Sequence, residues 1–170
     1  MRSWRQRLRF ETLEDRRLLA QITVTSLADG TLAELAGDGS VSLREAIQAA
    51  NSNASVDGSE AGSGADTIVF DAGLTSGGAE TILLTAGQMG IDEELTIVGP
   101  GRELLTIDAQ LNSRIFDVVP GNASQGSFDM TLRGLTLTRN RTIGDNDDFG
   151  PWSLNTAESA GAVRLNPVGN

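Results

Sequence analysis

Leu95-Thr96-Ile97-Val98-Gly99-Pro100-Gly101-Arg102-Glu103-Leu104-Leu105-Thr106-Ile107 sets two short runs of aliphatic residues and threonine on either side of Gly99 and Gly101. Alternation within each run puts Leu, Ile and Val on one face and Thr on the other, the period of a half-buried strand. The pattern recurs on both sides, in Thr67-Ile68-Val69-Phe70, Thr81-Ile82-Leu83-Leu84, Arg114-Ile115-Phe116-Asp117-Val118 and Met130 to Thr138. Thr-Ile pairs begin at Thr67, Thr81, Thr96 and Thr106, at spacings of 14, 15 and 10 residues. Gly73, Gly87, Gly90, Gly99, Gly101 and Gly134 read as tight corners. The chain is therefore all-β over this region. Two architectures fit the pattern: a parallel β-solenoid, which tolerates irregular corner insertions, and a β-sandwich with Greek-key connections.

Upstream, Gln21-Ile22-Thr23-Val24-Thr25 reads as one more half-buried strand, and Ala28 to Ser40 as a loop rich in Gly and Asp. Ser42-Leu43-Arg44-Glu45 then forms a capping box: the Ser42 hydroxyl accepts from the Glu45 amide, and the Glu45 carboxylate accepts from the Ser42 amide. Leu43, Ala46, Ile47 and Ala50 share one apolar face, which predicts a helix from Leu43 to Ala50 ended by Asn51-Ser52-Asn53. Ser42, Leu43, Glu45 and Ile47 are thus assigned structural roles. Glu45 is explained as the third helical residue and needs no catalytic function.

Charge divides the chain at Gln21. Residues 1–20 carry six arginines against three acids, a net of +3, whereas residues 21–170 carry seven against twenty, a net of −13. The basic segment lacks the apolar stretch of roughly 7–15 residues that a standard secretory signal requires. No segment approaches the roughly 20 apolar residues of a membrane span. A net charge of −10 over 170 residues disfavours a general nucleic-acid partner. The sequence has no Cys, His, Tyr or Lys. Disulfides, thiol and Ser-His-Asp nucleophiles, Schiff-base lysines and the usual zinc sites are therefore excluded. Chemistry is left to carboxylates, Arg, Ser and Thr.

Phe10-Glu11-Thr12-Leu13-Glu14-Asp15-Arg16-Arg17-Leu18-Leu19-Ala20 resembles the LEPR-XLL segment near the start of large surface or secreted proteins of planctomycete-type bacteria, with Asp15 where Pro is usual. That likeness implies a sorting or processing element. Ile22 to Thr25, then Ser42-Leu43-Arg44-Glu45-Ala46-Ile47-Gln48-Ala49-Ala50-Asn51, Asp66 to Phe70 and Leu95 to Gly101 together resemble the CSLREA domain. The likeness extends through Leu104 to Asp108, Ser113 to Phe116 and Leu132 to Leu137. It implies a right-handed parallel β-helix with a short N-terminal capping α-helix, of the kind found in exported and adhesin-like proteins related to polymorphic outer-membrane proteins. Leu43, Ile47 and Ala50 would then cover the hydrogen-bonding edge of the first coil, which is otherwise a template for unwanted pairing. The family's namesake cysteine is Val41 here, so residues 28–40 must be held by packing and hydrogen bonds alone.

Three domains are expected: residues 1–20, the sorting segment; residues 21–65, the first strand, loop and capping helix; and residues 66–170, β-helix coils. Ala160 to Leu165 reads as the start of a further coil, so the solenoid is taken as incomplete at its C-terminal end. Asp145, Asp147 and Asp148, beside Asn146, form the densest acidic cluster and are the candidate Ca²⁺ ligands. The twelfth position from Asp145 is Thr156, not the bidentate Glu of an EF-hand, which favours a solvated acidic loop and no cofactor. Asp92-Glu93-Glu94 reads as a charged turn. Asp108, Asp117, Asp129 and Arg133 are the residues that stacked coils could bring together for polysaccharide chemistry, although isolated surface charges are the simpler reading. Arg114 and Arg133 are placed at strand starts, where they bridge neighbouring acids. The N-glycosylation triplets at Asn53, Asn122 and Asn140 indicate exposed loops at most.

The expectation is a non-enzymatic, surface-associated or secreted β-helix module, adhesin-like or structural. Its partners would be extracellular matrix, cell-surface or polysaccharide groups. The alternative is the N-terminal part of a carbohydrate-active β-helix enzyme of the polysaccharide lyase or hydrolase type.

Overall fold

The computed structural model describes residues 19–119 and 129–141, together with the backbone of a strand at 163–165. Ten strands and two α-helices follow in order: β1 (Gln21–Val24), α1 (Leu32–Leu35), α2 (Leu43–Ser52), β2 (Asp66–Phe70), β3 (Glu80–Leu83), β4 (Met89–Ile91), β5 (Leu95–Val98), β6 (Leu105–Asp108), β7 (Phe116–Val118), β8 (Met130–Arg133), β9 (Thr136–Thr138) and β10 (Val163–Leu165). A 3-10 turn, Ala72–Thr75, follows β2.

The strands form three sheets, ordered β1-β2-β5-β8, β3-β6-β9 and β4-β7-β10. Every strand pairing among the described residues is parallel. A Greek-key sandwich, which is built on antiparallel pairs, does not give that arrangement. From β2 onward the chain visits the three sheets in turn: β2, β3, β4, then β5, β6, β7, then β8, β9, β10.

Register explains the core. Ile22, Ile68, Ile97 and Leu132 stand side by side across the first sheet, Ile82, Ile107 and Leu137 across the second, and Met89 beside Phe116 and Ile91 beside Val118 in the third. These residues join one apolar cluster. Burying one such side chain contributes about 1.5–3 kcal/mol. Threonine takes the opposite face, with Thr67, Thr96 and Thr131 aligned on the first sheet and Thr81, Thr106 and Thr136 on the second.

Helix α2 packs Leu43, Ala46, Ile47, Ala49 and Ala50 into the same cluster, next to β1, β2 and β4. It runs to Ser52, two residues past the expected end at Ala50, and stops at Asn53, which adopts the left-handed conformation (φ 51°). Four further differences from the sequence reading have local causes. Residues 28–40 are not all loop: Thr31 and Glu34 form a second capping box that starts the one-turn helix α1. β4 was not expected, and Gly90 lies within it, not at a corner. Met130 to Thr138 is broken into β8 and β9 by Gly134 (φ +68°). Arg133 consequently ends β8 and does not begin a strand.

Candidate functional site

The Asp29 carboxylate links three segments of the chain. Arg44, on the second residue of α2, donates through Nε to Asp29 Oδ1 at 2.8 Å and through Nη2 to Oδ2 at 3.1 Å. Oδ2 also accepts from the Thr85 and Ala86 amides at 2.7 and 3.1 Å. The Thr85 hydroxyl donates to the Asp29 carbonyl at 2.7 Å. The Asp29 side chain is 2 % exposed and that of Arg44 13 %, so this bidentate pair is largely withdrawn from water. Arg44 also donates to Gly87 O and Gln88 O.

Beside this pair, α2 and β4 enclose a groove of about 290 Å³ lined by Thr31, Leu32, Ile47, Gln48, Met89 and Gly90 among others. Arg44, Asn51 and Ala86 complete its lining. Ser42 and Glu45 sit on the core side of α2. Glu45 N–H donates to Ser42 Oγ at 3.2 Å, and Ser42 N–H donates to Glu45 Oε2 at 2.9 Å. Both residues are buried, and Glu45 Oε1 is a buried acceptor with no hydrogen-bond partner among the described residues.

Asp66 opens β2 in a second buried polar site. Its Oδ1 accepts from the Ala20 and Ser63 amides at 3.2 and 3.0 Å. Burial raises its carboxyl pKa above the ordinary aspartate value, against the opposing pull of those amides. In contrast, the exposed Glu34 and Asp38 carboxyls are lowered, Glu34 by the Thr31 amide and hydroxyl, and Asp38 by the Ser40 hydroxyl and amide.

Comparison with known protein families, with curated proteins and with solved structures finds no match to this chain.

The four residues considered for polysaccharide chemistry are not assembled on one face. Asp108 ends β6 in the second sheet, Asp117 is central in β7 of the third, and in the first Asp129 precedes β8 and Arg133 ends it. Strand order separates them because each sheet takes one strand from each passage of the chain. Asp108 instead accepts from the Gln110 amide at 2.7 Å and from Arg139 Nη1 at 3.2 Å. Asp92, Glu93 and Glu94 form the connection from β4 to β5. Asp145, Asp147 and Asp148 lie outside the described residues, as do residues 1–18 of the N-terminal segment and Asn122. Asn53 is the left-handed cap of α2, and its Oδ1 accepts from the Gly64 amide.

Sequence reasoning assigned no role to Asp29, Arg44 or Asp66, and read Asn51 only as part of the helix end. Arg44 and Asn51 were within its grasp, since both lie along one margin of the predicted apolar stripe, seven residues apart. Asp29 carries no local signal, because its partners lie 15 and 56 residues away in sequence.

Proposed function

We propose that this chain forms the capped N-terminal part of a right-handed parallel β-helix. It acts as a non-enzymatic, surface-associated or secreted module of adhesin-like or structural type. The observation that carries this reading is the outer surface of the stacked strands. Thr67, Thr96 and Thr131 stand in register on one sheet and Thr81, Thr106 and Thr136 on another. Parallel neighbours lie roughly 4.8 Å apart, so each row is an evenly spaced line of hydroxyls. Such rows match a partner with regularly repeated hydrogen-bonding groups, such as a polysaccharide of the cell surface or extracellular matrix. The buried carboxylates Asp29 and Asp108 support a scaffold in another way. Each is engaged by an arginine and by backbone N–H, Asp29 by Thr85 and Ala86 and Asp108 by Gln110, as in a structural tie. The CSLREA and LEPR-XLL likenesses supply the exported, surface-attached setting.

The test is binding of the purified full chain to immobilised neutral and acidic polysaccharides, with and without Ca²⁺. Wild type binds at least one polymer, and Thr96→Glu, at the centre of a hydroxyl row, weakens binding roughly tenfold while circular dichroism stays unchanged, a loss of about 1.4 kcal/mol. Equal binding by wild type and the variant refutes the assigned surface. Reproducible cleavage of the polymer replaces the reading with a carbohydrate-active enzyme. Fractionation of the native protein, with mass spectrometry of both ends, tests the surface or secreted location.

A further inference from the structure

Helix α2 lies along an edge of the third sheet that has no neighbouring strand among the described residues. β4 pairs with β7 through Met89 and Ile91: the Met89 amide donates to Ile115 O at 2.9 Å, and the Val119 amide donates to Ile91 O at 2.8 Å. Peptide groups alternate sides along a strand, so those of Gln88, Gly90 and Asp92 face the opposite edge.

Side chains of α2 meet them there. Asn51 Nδ2 donates to Gly90 O at 3.0 Å, and Asn51 Oδ1 accepts from the Asp92 amide at 3.2 Å. A residue of a parallel neighbour facing Ile91 makes that same pair of bonds, donating to the carbonyl before Ile91 and accepting from the amide after it. The Asn51 carboxamide, with one acceptor and one donor, reproduces a backbone partner with a side chain. Arg44 anchors the other end through Gln88 O and Gly87 O. Arg44 and Asn51 are seven residues apart, about 10.5 Å along a helix, against about 13 Å for the strand from Gln88 to Asp92. Arg44, Gln48 and Asn51 all line the groove of about 290 Å³ between α2 and β4.

We propose that α2 stands in for a missing strand of the third sheet. Asn51 mimics the peptide partner, and Arg44 positions the helix. By holding this edge they keep β4 from pairing with a strand of a second copy of this chain. A second copy is the occupant to expect because every described pairing in the molecule is parallel, with the same two-residue alternation, so a copy carries strands already shaped for such an edge. This inference does not depend on the surface function proposed above.

The experiment compares the full chain with Asn51→Ala and with the combined variant D29N/R44Q/N51A, in which both ion-pair charges are neutralised together. Mass is measured by light scattering from micromolar to submillimolar concentration, alongside circular dichroism and amide hydrogen exchange. The expected result is a monomeric wild type. Both variants keep the wild-type dichroism, exchange the Asp92 amide roughly tenfold faster and gain mass with concentration. A folded Asn51→Ala that stays monomeric with an exposed Asp92 amide overturns the proposal, as does a wild type that already self-associates. If the combined variant fails to fold, Asn51→Ala alone decides by the same readings.

Discussion

Substituting Gly99 by alanine probes how closely successive passages of the chain are stacked at one corner. Gly99 follows β5 and donates to Arg133 O at 2.8 Å, while Gly101 donates to Gly134 O at 2.9 Å. Gly99 is not in the left-handed region, so alanine meets no conformational penalty there. The obstacle is the neighbouring backbone. A Cβ at Gly99 would overlap Gly134 O and stand 2.8 Å from the Gly134 carbonyl carbon. Restoring an ordinary carbon–oxygen contact requires the two corners to part by about 1 Å, enough to forfeit a quarter to a half of the local dispersion attraction. The same movement stretches both hydrogen bonds beyond useful length, at about 0.5–1.5 kcal/mol each. Together with the usual cost of overpacking, about 1–3 kcal/mol, the expected loss is roughly 2–6 kcal/mol. Two other glycines separate this effect from backbone strain. Gly77→Ala meets nothing within 4 Å and has no positive φ, so it is neutral or stabilises by about 0.4–1 kcal/mol. Gly87→Ala also meets nothing within 4 Å but has φ +77°, and costs about 1–2 kcal/mol from conformation alone. Urea midpoints at constant slope give the three values. A Gly99→Ala protein within about 0.5 kcal/mol of Gly77→Ala refutes the stacking argument.

Ile97→Ala, at a fully buried position between Ile68 and the half-buried Leu132, costs about 2–5 kcal/mol by the same measurement, whereas outward Thr96→Ala stays within about 0.5–1 kcal/mol. Ser42→Ala removes the cap of the longer, buried helix and costs about 1–2 kcal/mol, whereas Thr31→Ala on the exposed one-turn helix costs about 0.5 kcal/mol. Asp66→Asn changes the pH dependence of unfolding. Burial raises the carboxyl pKa in the folded state, so the folded protein retains that proton longer than the unfolded chain. The contribution from this group is complete below the ordinary aspartate value and is lost as pH rises through the raised one. The amide variant keeps an acceptor for Ala20 and Ser63 and removes that slope, so its stability relative to wild type improves from acid toward neutral pH. A stability difference that stays constant across this range contradicts the assignment.

Elements whose residues carry a strong local pattern were legible in the sequence. The Ser42-Glu45 box and the stripe of Leu43, Ala46, Ile47 and Ala50 located α2, and the Thr-Ile alternation located β2, β3, β5 and β6. β4 was invisible because Met89-Gly90-Ile91 is short and has a central glycine with little preference for a strand. It is extended because Met89 and Ile91 pair with Phe116 and Val118 on one side while Asn51 holds Gly90 on the other. Parallel pairing could not be read from the runs themselves, since alternation serves a sandwich equally well. The carboxylates considered for polysaccharide chemistry were scattered for a related reason. Sequence distance says how far along the winding a residue lies, but a shift of a few residues moves it to a different sheet.

The segment from Thr25 to Val41 is held by packing and hydrogen bonds. Val41 is buried in the apolar cluster. Its amide donates to Thr25 Oγ1 at 2.8 Å, and its carbonyl accepts from the Thr25 and Ser26 amides, which closes the base of the loop. Asp29 ties the middle to Arg44 and to Thr85, and the Asp57 carboxylate accepts from the Gly37 and Gly39 amides on the far side. A disulfide stabilises chiefly by restricting the unfolded chain, whereas these contacts exist only when α2 and the turn before β4 are already in place. Order in the loop is therefore conditional on the helix. Arg44 makes the condition mutual, because one guanidinium both fixes Asp29 in the loop and holds α2 against the carbonyls before β4. Loosening either side releases the other, so the loop, the helix and the edge of the third sheet open as one cooperative unit.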